Sequence, residues 1–242
     1  MDDDVATVHV VDDSESVRRA MSRLLKLAGY RVKTYASAEA LLAEPLAADD
    51  APVVVLADLV LPGLDGIALA VRLGSTGAAP PVVFLSARGG VPSSVRAMKQ
   101  GAVDFLEKPV QEQELLDALG RAVARSRERI LERQRLADLR RRYATLTARE
   151  RQVLALVVTG LLNKQVASEL GVSEKTVKVH RSRAVGKMTA QSLPDLVRMA
   201  SQLGIEGEPA RGGVAPELGT FGGSPGLRLG IVPTSPPRRR GY

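Results

Sequence analysis

The sequence predicts a doubly wound α/β domain on a five-stranded parallel sheet, followed by a small all-α domain of four helices. Three observations carry this. In the first 120 or so residues, five short apolar runs alternate with five stretches of helical periodicity, as wrapped parallel sheets require. Runs such as Val53-Val54-Val55-Leu56 are apolar at every position, which suits strands buried on both faces. Beyond residue 145 the punctuation is helical only, with capping residues before and glycines after each apolar stretch.

Residues 5–11 form the first predicted strand, ending at Asp12-Asp13. Ser14 or Ser16 then opens a helix whose apolar positions are Val17, Ala20, Met21, Leu24, Leu25 and Leu27, stopped by Gly29. A strand at 31–35 and a short helix at 38–43 follow. The third strand, 52–56, is closed by Asp58; a helix at 64–73 leads to a strand at 81–85 that ends at Ser86. Helix 93–101, strand 104–106 and helix 111–122 complete the module. Residues 121–142 hold nine arginines and three acids without Gly or Pro, so the last helix is expected to continue as a linker. Leu119, Val123, Ser126, Ile130, Arg133 and Ala137 fall at alternating four- and three-residue steps, which fits either a coiled-coil seam or a solvated single helix.

In the second module Thr147 and Glu150 form a capping-box pair ahead of Val153, Leu154, Leu156 and Val157, and Gly160 ends that helix. Asn163 is expected to cap 164–170, Ser173 to cap 174–188, and Ser192 with Asp195 to start the last helix. From residue 204 onward, 16 of 39 residues are Gly or Pro, and this tail reads as disordered. The division is therefore 1–122, a linker at 123–142, 143–203, and the tail at 204–242.

Composition narrows the function classes. Cysteine is absent, which excludes disulfides, a thiolate nucleophile and Cys-ligated zinc. His9 and His180 are the two histidines, too few for a His-rich metal site. No apolar run reaches the roughly 18 residues a membrane span needs, and Met1-Asp2-Asp3-Asp4 is acidic, so a cytoplasmic protein is expected. The net charge of +7 is unevenly spread: residues 1–120 carry 11 Lys/Arg against 17 Asp/Glu, and residues 121–242 carry 23 against 10. An acidic half joined to a basic half suggests different partners, with nucleic acid the simplest polyanion for the second.

Ligands of open parallel sheets bind outside the carboxyl ends of the strands. Here those ends carry Asp12-Asp13, Asp58, Ser86 and Lys108. Gathered carboxylates repel one another unless a hard cation sits among them, and Mg2+ suits because it takes few protein oxygens and bridges to phosphate. Asp58, on the central strand, is the candidate nucleophile toward phosphorus, with Lys108 neutralising the transferring oxygens and the Ser86 hydroxyl bonding one of them. A cis Lys108-Pro109 peptide would aim the ammonium into the site. Each residue alone has a blander reading, since an Asp at a strand end is commonly a turn or helix cap. Five matches at the correct strand ends outweigh that reading.

The segments Val8-His9-Val10-Val11-Asp12-Asp13, Ala57-Asp58-Leu59-Val60-Leu61-Pro62-Gly63-Leu64-Asp65-Gly66 and Gly101-Ala102-Val103-Asp104-Phe105-Leu106-Glu107-Lys108-Pro109 resemble the receiver domain of two-component response regulators, a flavodoxin-like (CheY-like) fold. The resemblance implies that Asp58 accepts a phosphoryl group from a sensor histidine kinase. It implies that Asp13 binds Mg2+ directly, Asp12 helps through water, and the Val60 carbonyl completes the protein ligands. Ser86 and Phe105 match the family's switch pair. Leu61 departs mildly from the methionine common there.

Helix 174–188 offers Lys175, Lys178, Arg181, Arg183 and Lys187, while Val177, Ala184 and Met188 fall on a face that packs inward. A helix presented after a short turn is the arrangement that enters a DNA major groove. With Leu146-Thr147-Ala148-Arg149-Glu150-Arg151, Asn163-Lys164, Val172-Ser173, Thr176-Val177-Lys178 and His180, the segment 143–203 resembles a LuxR-type helix-turn-helix domain. The resemblance implies DNA contacts from Lys164, Lys175, Thr176, Val177, Lys178, His180, Arg181 and Arg183, with Glu150 bracing the scaffold. His180 alone fits a packed histidine as well as a phosphate contact. Gly186, inside the recognition helix, costs about 1 kcal/mol and favours fraying of its end.

Together the modules resemble the FixJ/NarL class of transcriptional regulators, nearest the FixJ-like subgroup. That implies double-stranded promoter DNA and a phosphorylation-dependent homodimer, allows RNA polymerase as a further partner, and implies neither an enzyme nor a membrane protein. The rivals are a phosphorylation-independent DNA-binding regulator with a receiver-like domain, an Mg2+-dependent phosphohydrolase and a protein-docking module. The phosphohydrolase would want a second acid two residues after its nucleophile, where this chain has Val60.

Overall fold

The computed structural model describes residues 5–44, 46, 51–75, 79–87 and 102–205. They lie within one compact unit, Met1–Gly207; a second unit, Glu208–Tyr242, falls wholly outside them. The expected helix at 93–101 also lies outside the described residues, as does the tail from residue 206.

Five strands form the predicted sheet: β1 (Thr7–Val11), β2 (Arg31–Tyr35), β3 (Val53–Asp58), β4 (Val82–Ser86) and β5 (Asp104–Glu107). All pairings are parallel, in the order β2-β1-β3-β4-β5. The order in which strands are added reverses after β2, so β1 and β3 are neighbours whose connections leave to opposite sides, which places a crevice at their carboxyl ends. Alternate residues of the central strands feed two cores. Val55, Ala57, Val82 and Phe84 join α2 (Ala38–Leu42) and α3 (Gly66–Gly74) on one face. Val54, Leu56, Val83 and Leu85 meet α1 (Glu15–Leu27) and the first turns of α4 (Glu112–Ala144) on the other. Two faces of apolar cover explain the unbroken apolar runs.

Boundaries shift where side chains compete with the backbone. Helix α3 begins at Gly66, two residues later than expected, because the Asp65 carboxylate accepts the Ala68 N–H at 2.7 Å and caps it. Ser14 sits at the head of α1 without capping it by its side chain; instead its N–H donates to Asp12 Oδ1 at 2.9 Å.

Helix α4 runs unbroken through the expected linker. Its early turns are packed down: Val123, Ser126 and Ile130 are buried, the Ser126 hydroxyl accepts the Val53 N–H at 3.0 Å, and Arg129 donates to the Ala79 carbonyl. The first four positions of the stepped stripe, Leu119 to Ile130, are thus covered by this chain itself. A seam for a second helix does not start there.

Four elements follow: α5 (Ala148–Val158), α6 (Asn163–Leu170), α7 (Glu174–Met188) and α8 (Leu193–Gln202). With Leu139 of α4 they bury a third core that includes Val153, Leu154, Val166, Val177, Met188 and Leu196. Thr147 and Glu150 form the expected capping box. Glu150 is also buried and accepts Lys187 Nζ at 2.6 Å; that hydrogen bond, with the Thr147 N–H, holds its carboxyl below the usual range. Asn163 is not the cap of its helix. It is the first residue of α6, and its Oδ1 accepts Arg181 Nη1 at 2.8 Å. Helix α7 stays helical through Gly186 and stops at Thr189, whose φ of 56° is left-handed. Order also reaches past the expected boundary at 203, because the Ile205 N–H donates to the Ala200 carbonyl at 2.9 Å.

Two glycines make opposite predictions. A Cβ on Gly66 would stand 2.5 Å from the Asp58 carbonyl oxygen, a backbone atom, so Gly66→Ala should cost about 1–3 kcal/mol in urea unfolding. A Cβ on Gly186 meets nothing within 4 Å, so Gly186→Ala should add about 0.5–1 kcal/mol. His9 is buried, stacked on Tyr35, with Nδ1 3.0 Å from the Tyr35 hydroxyl. Burial, aided by Lys33 and opposed by Glu44, lowers its pKa to about 4. The unfolded chain then takes up this proton first, so stability should fall by up to about 3 kcal/mol as pH drops from about 6.5 to about 4. Denaturation midpoints of wild type and His9→Gln across that range check this, the variant being expected to lose that part of the slope.

Candidate functional site

Strand register builds the acidic rim. Val11 pairs with Ala57, so the next residues, Asp12 and Asp58, stand side by side. Asp58 pairs with Leu85, and Ser86 pairs with Glu107, one residue before Lys108. The Lys108 N–H closes this edge on the Ser86 carbonyl at 2.8 Å.

Lys108 Nζ donates to Asp12 Oδ2 and to Asp58 Oδ2, each at 2.7 Å. Burial alone would depress the ammonium, but the bonds to Asp12 and Asp58 outweigh it and its pKa is raised. Asp12 is 1% exposed and Asp58 9%, while Asp13 stands open to solvent. One carboxylate oxygen from each of the three lies within 4.8 Å of the others. Asp58 Oδ1 also accepts the Val60 N–H at 3.0 Å. The donor set is all hard oxygen and partly exposed, which fits a divalent cation such as Mg2+. The Lys108-Pro109 peptide is cis, as the sequence suggested.

Ser86 is fully buried at the end of β4. Phe105, on the neighbouring strand, pairs with Phe84 and packs half-buried on the core beneath the rim. The two expected switch residues therefore lie on adjacent strands, Ser86 at the strand end and Phe105 two residues below that level.

Two side chains that spacing did not single out hold the loops of this rim. Arg18 Nη1 donates to the Asp12 and Asp13 carbonyls at 2.7 and 2.9 Å. Glu39 Oε1 accepts the Leu64 N–H at 3.0 Å, on the loop that follows Asp58. An arginine near the start of a helix reads as a solvated residue. Only the loop's path shows its target.

On the helical module, Lys164, Lys175, Lys178 and Arg183 are exposed; Thr176, His180 and Arg181 are half-buried. Lys178 lies 4.0 Å from Glu174, the Thr176 and Ser173 hydroxyls are 2.8 Å apart, and Arg181 bonds Asn163 as above. His180 Nδ1 is buried without a hydrogen-bond partner among the described residues. Val177 corrects the expected DNA-contacting set: it has no exposed surface and packs in the core. Its inward-facing position on α7, not its place in the motif, decides its role. Lys187 is held by Glu150 and by the Thr145 carbonyl at 3.1 Å.

Two family models match: the response regulator receiver domain over residues 8–120, and the bacterial regulatory proteins of the luxR family over 144–200. Nodulation protein W of Bradyrhizobium diazoefficiens is 43% identical over 200 residues, covering 83% of this chain and 87% of that protein. The transcriptional regulatory protein FixJ of Rhizobium meliloti is 43% identical over 194 residues, 80% of this chain and 94% of FixJ. The solved structure of the response regulator StyR superposes with a TM-score of 0.67 at 40% identity, covering 82% of this chain and 99% of that one. No described helix is long and apolar enough to cross a membrane. With a receiver rim at one end and a LuxR-type helical module at the other, the chain belongs to the FixJ/NarL-type response regulators, transcription factors of two-component systems.

Proposed function

We propose that Asp58 is the phosphoacceptor of this regulator, and that its phosphorylation by a sensor histidine kinase promotes dimerisation and binding to promoter DNA. One observation carries the reading: the Asp58 carboxylate shares the Lys108 ammonium with Asp12 while Asp13 stands within cation-bridging distance. An Asp58 oxygen attacks phosphorus, the O–P bond forms as the N–P bond to the kinase histidine breaks, and the histidine leaves as a neutral imidazole, keeping the proton on its other ring nitrogen. Asp13, Asp58 and the Val60 carbonyl would hold Mg2+, with Asp12 helping through water, and the ion would supply positive charge to the transferring oxygens. Lys108 supplies a second positive charge to those oxygens. Ser86 offers its hydroxyl to the new phosphoryl group, and Phe105 follows into the space vacated behind it.

We further read 1–122 as the phosphoacceptor module, 123–142 as the linker and 143–203 as the DNA-binding module, acting in the cytoplasm. Lys175, Lys178 and Arg183 present positive charge from α7 and Lys164 from α6, toward phosphates and base edges, with Thr176, His180 and Arg181 at the margin. RNA polymerase is the partner through which a bound dimer would act on transcription. Val60 stands where a phosphohydrolase would carry its second acid, which favours a switch over a turnover enzyme.

Asp58→Asn should abolish acyl-phosphate formation in intact-mass measurements and, with it, the phosphodonor-stimulated shift to dimer in analytical ultracentrifugation. A variant that still dimerises on adding phosphodonor refutes the assignment and moves the acceptor to another residue, whereas wild type that gains no phosphate and does not respond to phosphodonor favours a phosphorylation-independent regulator. Lys178→Ala should weaken binding across DNA sequences and lower the slope of log K against log salt by about 1. Val177→Ala should instead lower stability by about 2 kcal/mol. Equal salt slopes for wild type and Lys178→Ala would remove Lys178 from the interface.

A further inference from the structure

We propose that Arg18 is a positioning residue for divalent-cation binding at the acidic rim, setting the direction of the Asp12 and Asp13 carboxylates through their backbone carbonyls. The inference rests on the reading of that rim as a Mg2+ site.

Asp12 and Asp13 follow the end of β1; the Asp12 N–H still donates to the Tyr35 carbonyl of β2 at 3.2 Å, and among the described residues no strand pairing reaches Asp13. The Asp12 side chain has its own restraints, from Lys108 Nζ and from the Ser14 N–H on Oδ1. Asp13 has none of these: among the described residues no hydrogen bond reaches its carboxylate. The place from which that carboxylate reaches a cation is therefore set by its backbone. One nitrogen of Arg18, on the first turns of α1, donates to both carbonyls at 2.7 and 2.9 Å and so fixes two successive peptide planes. Charge-assisted bonds of this kind are among the stronger ones available to a backbone carbonyl. Arg18 is half-buried, whereas its neighbour Arg19 turns away into a surface pair with Glu15 at 2.6 Å, with side chains 80% and 66% exposed.

The sign of the effect separates positioning from plain electrostatics. A cation beside the rim repels a divalent ion, so loss of charge alone would tighten Mg2+ binding. Loss of orientation would weaken it, as removal of outer-shell partners of metal ligands does, by about 10-fold or more.

The test is calorimetric titration of Mg2+ into the full chain for wild type, Arg18→Ala, Arg18→Lys and Arg19→Ala, with melting temperatures taken in chelator. Arg18→Ala should bind Mg2+ about 10-fold more weakly. Arg18→Lys, whose ammonium carries enough hydrogens for both carbonyls, should recover most of that loss. Arg19→Ala should bind as wild type or slightly tighter. Arg18→Gln, which keeps the stem and loses the charge, serves in place of the alanine variant should that one not fold. An Arg18→Ala or Arg18→Gln variant that binds Mg2+ as tightly as wild type, or tighter, overturns the proposal while leaving the Mg2+ site intact. Wild-type protein that takes up no Mg2+ overturns the reading of the rim and this inference together.

Discussion

The structure depends on the convergence of like charge at one edge of the sheet. Three carboxylates held within cation-bridging distance repel one another, and two of them, Asp12 and Asp58, are almost completely withdrawn from water. Lys108 is the local compensation, bonded to both at 2.7 Å. A single ammonium cannot serve three carboxylates and a phosphoryl group equally, and that imbalance makes the site responsive to added charge. A rim whose electrostatics were already complete would gain little from a cation and would change little on phosphorylation.

The parallel sheet is what brings the charges together. Residues separated by 46 and 50 positions in the chain stand abreast because β1, β3 and β5 run the same way and end at the same level. Below them the strands are apolar on both faces, so the rim rests on a support with no polar alternative to relax into. Gly66 adds a further constraint, because the backbone of Asp58 passes too close to it for any side chain. The position of Asp58 is thus determined from below by packing and from the side by helix α3.

Helix α4 has a dual membership. Its early turns bury Leu115, Leu119 and Val123 in a core of the sheet, and Leu139 near its other end belongs to the helical core. Arg142 then bonds the end of α7, at the Met188 carbonyl and the Thr189 hydroxyl. Helix α7 is pinned again through Lys187 and buried Glu150. The cations of α7 consequently differ in kind: Lys187 is committed to the scaffold and Arg181 donates to Asn163, while Lys175, Lys178 and Arg183 remain exposed.

Much of this was legible before any coordinates. Periodicity and strand-end chemistry were enough for the five strands, the rim residues and the helix at 174–188, because each rests on local pattern: alternating element types, apolar runs, a carboxylate after a strand. What only the tertiary structure decided are matters of aim. Asn163 accepts Arg181 instead of capping, Lys187 is held by buried Glu150, and Arg18 grips a loop it adjoins by no recognisable spacing. A sequence states which groups a segment carries, through propensities that act over a turn or a strand. The direction in which a side chain points depends on neighbours that are distant along the chain and meet only when the layers pack.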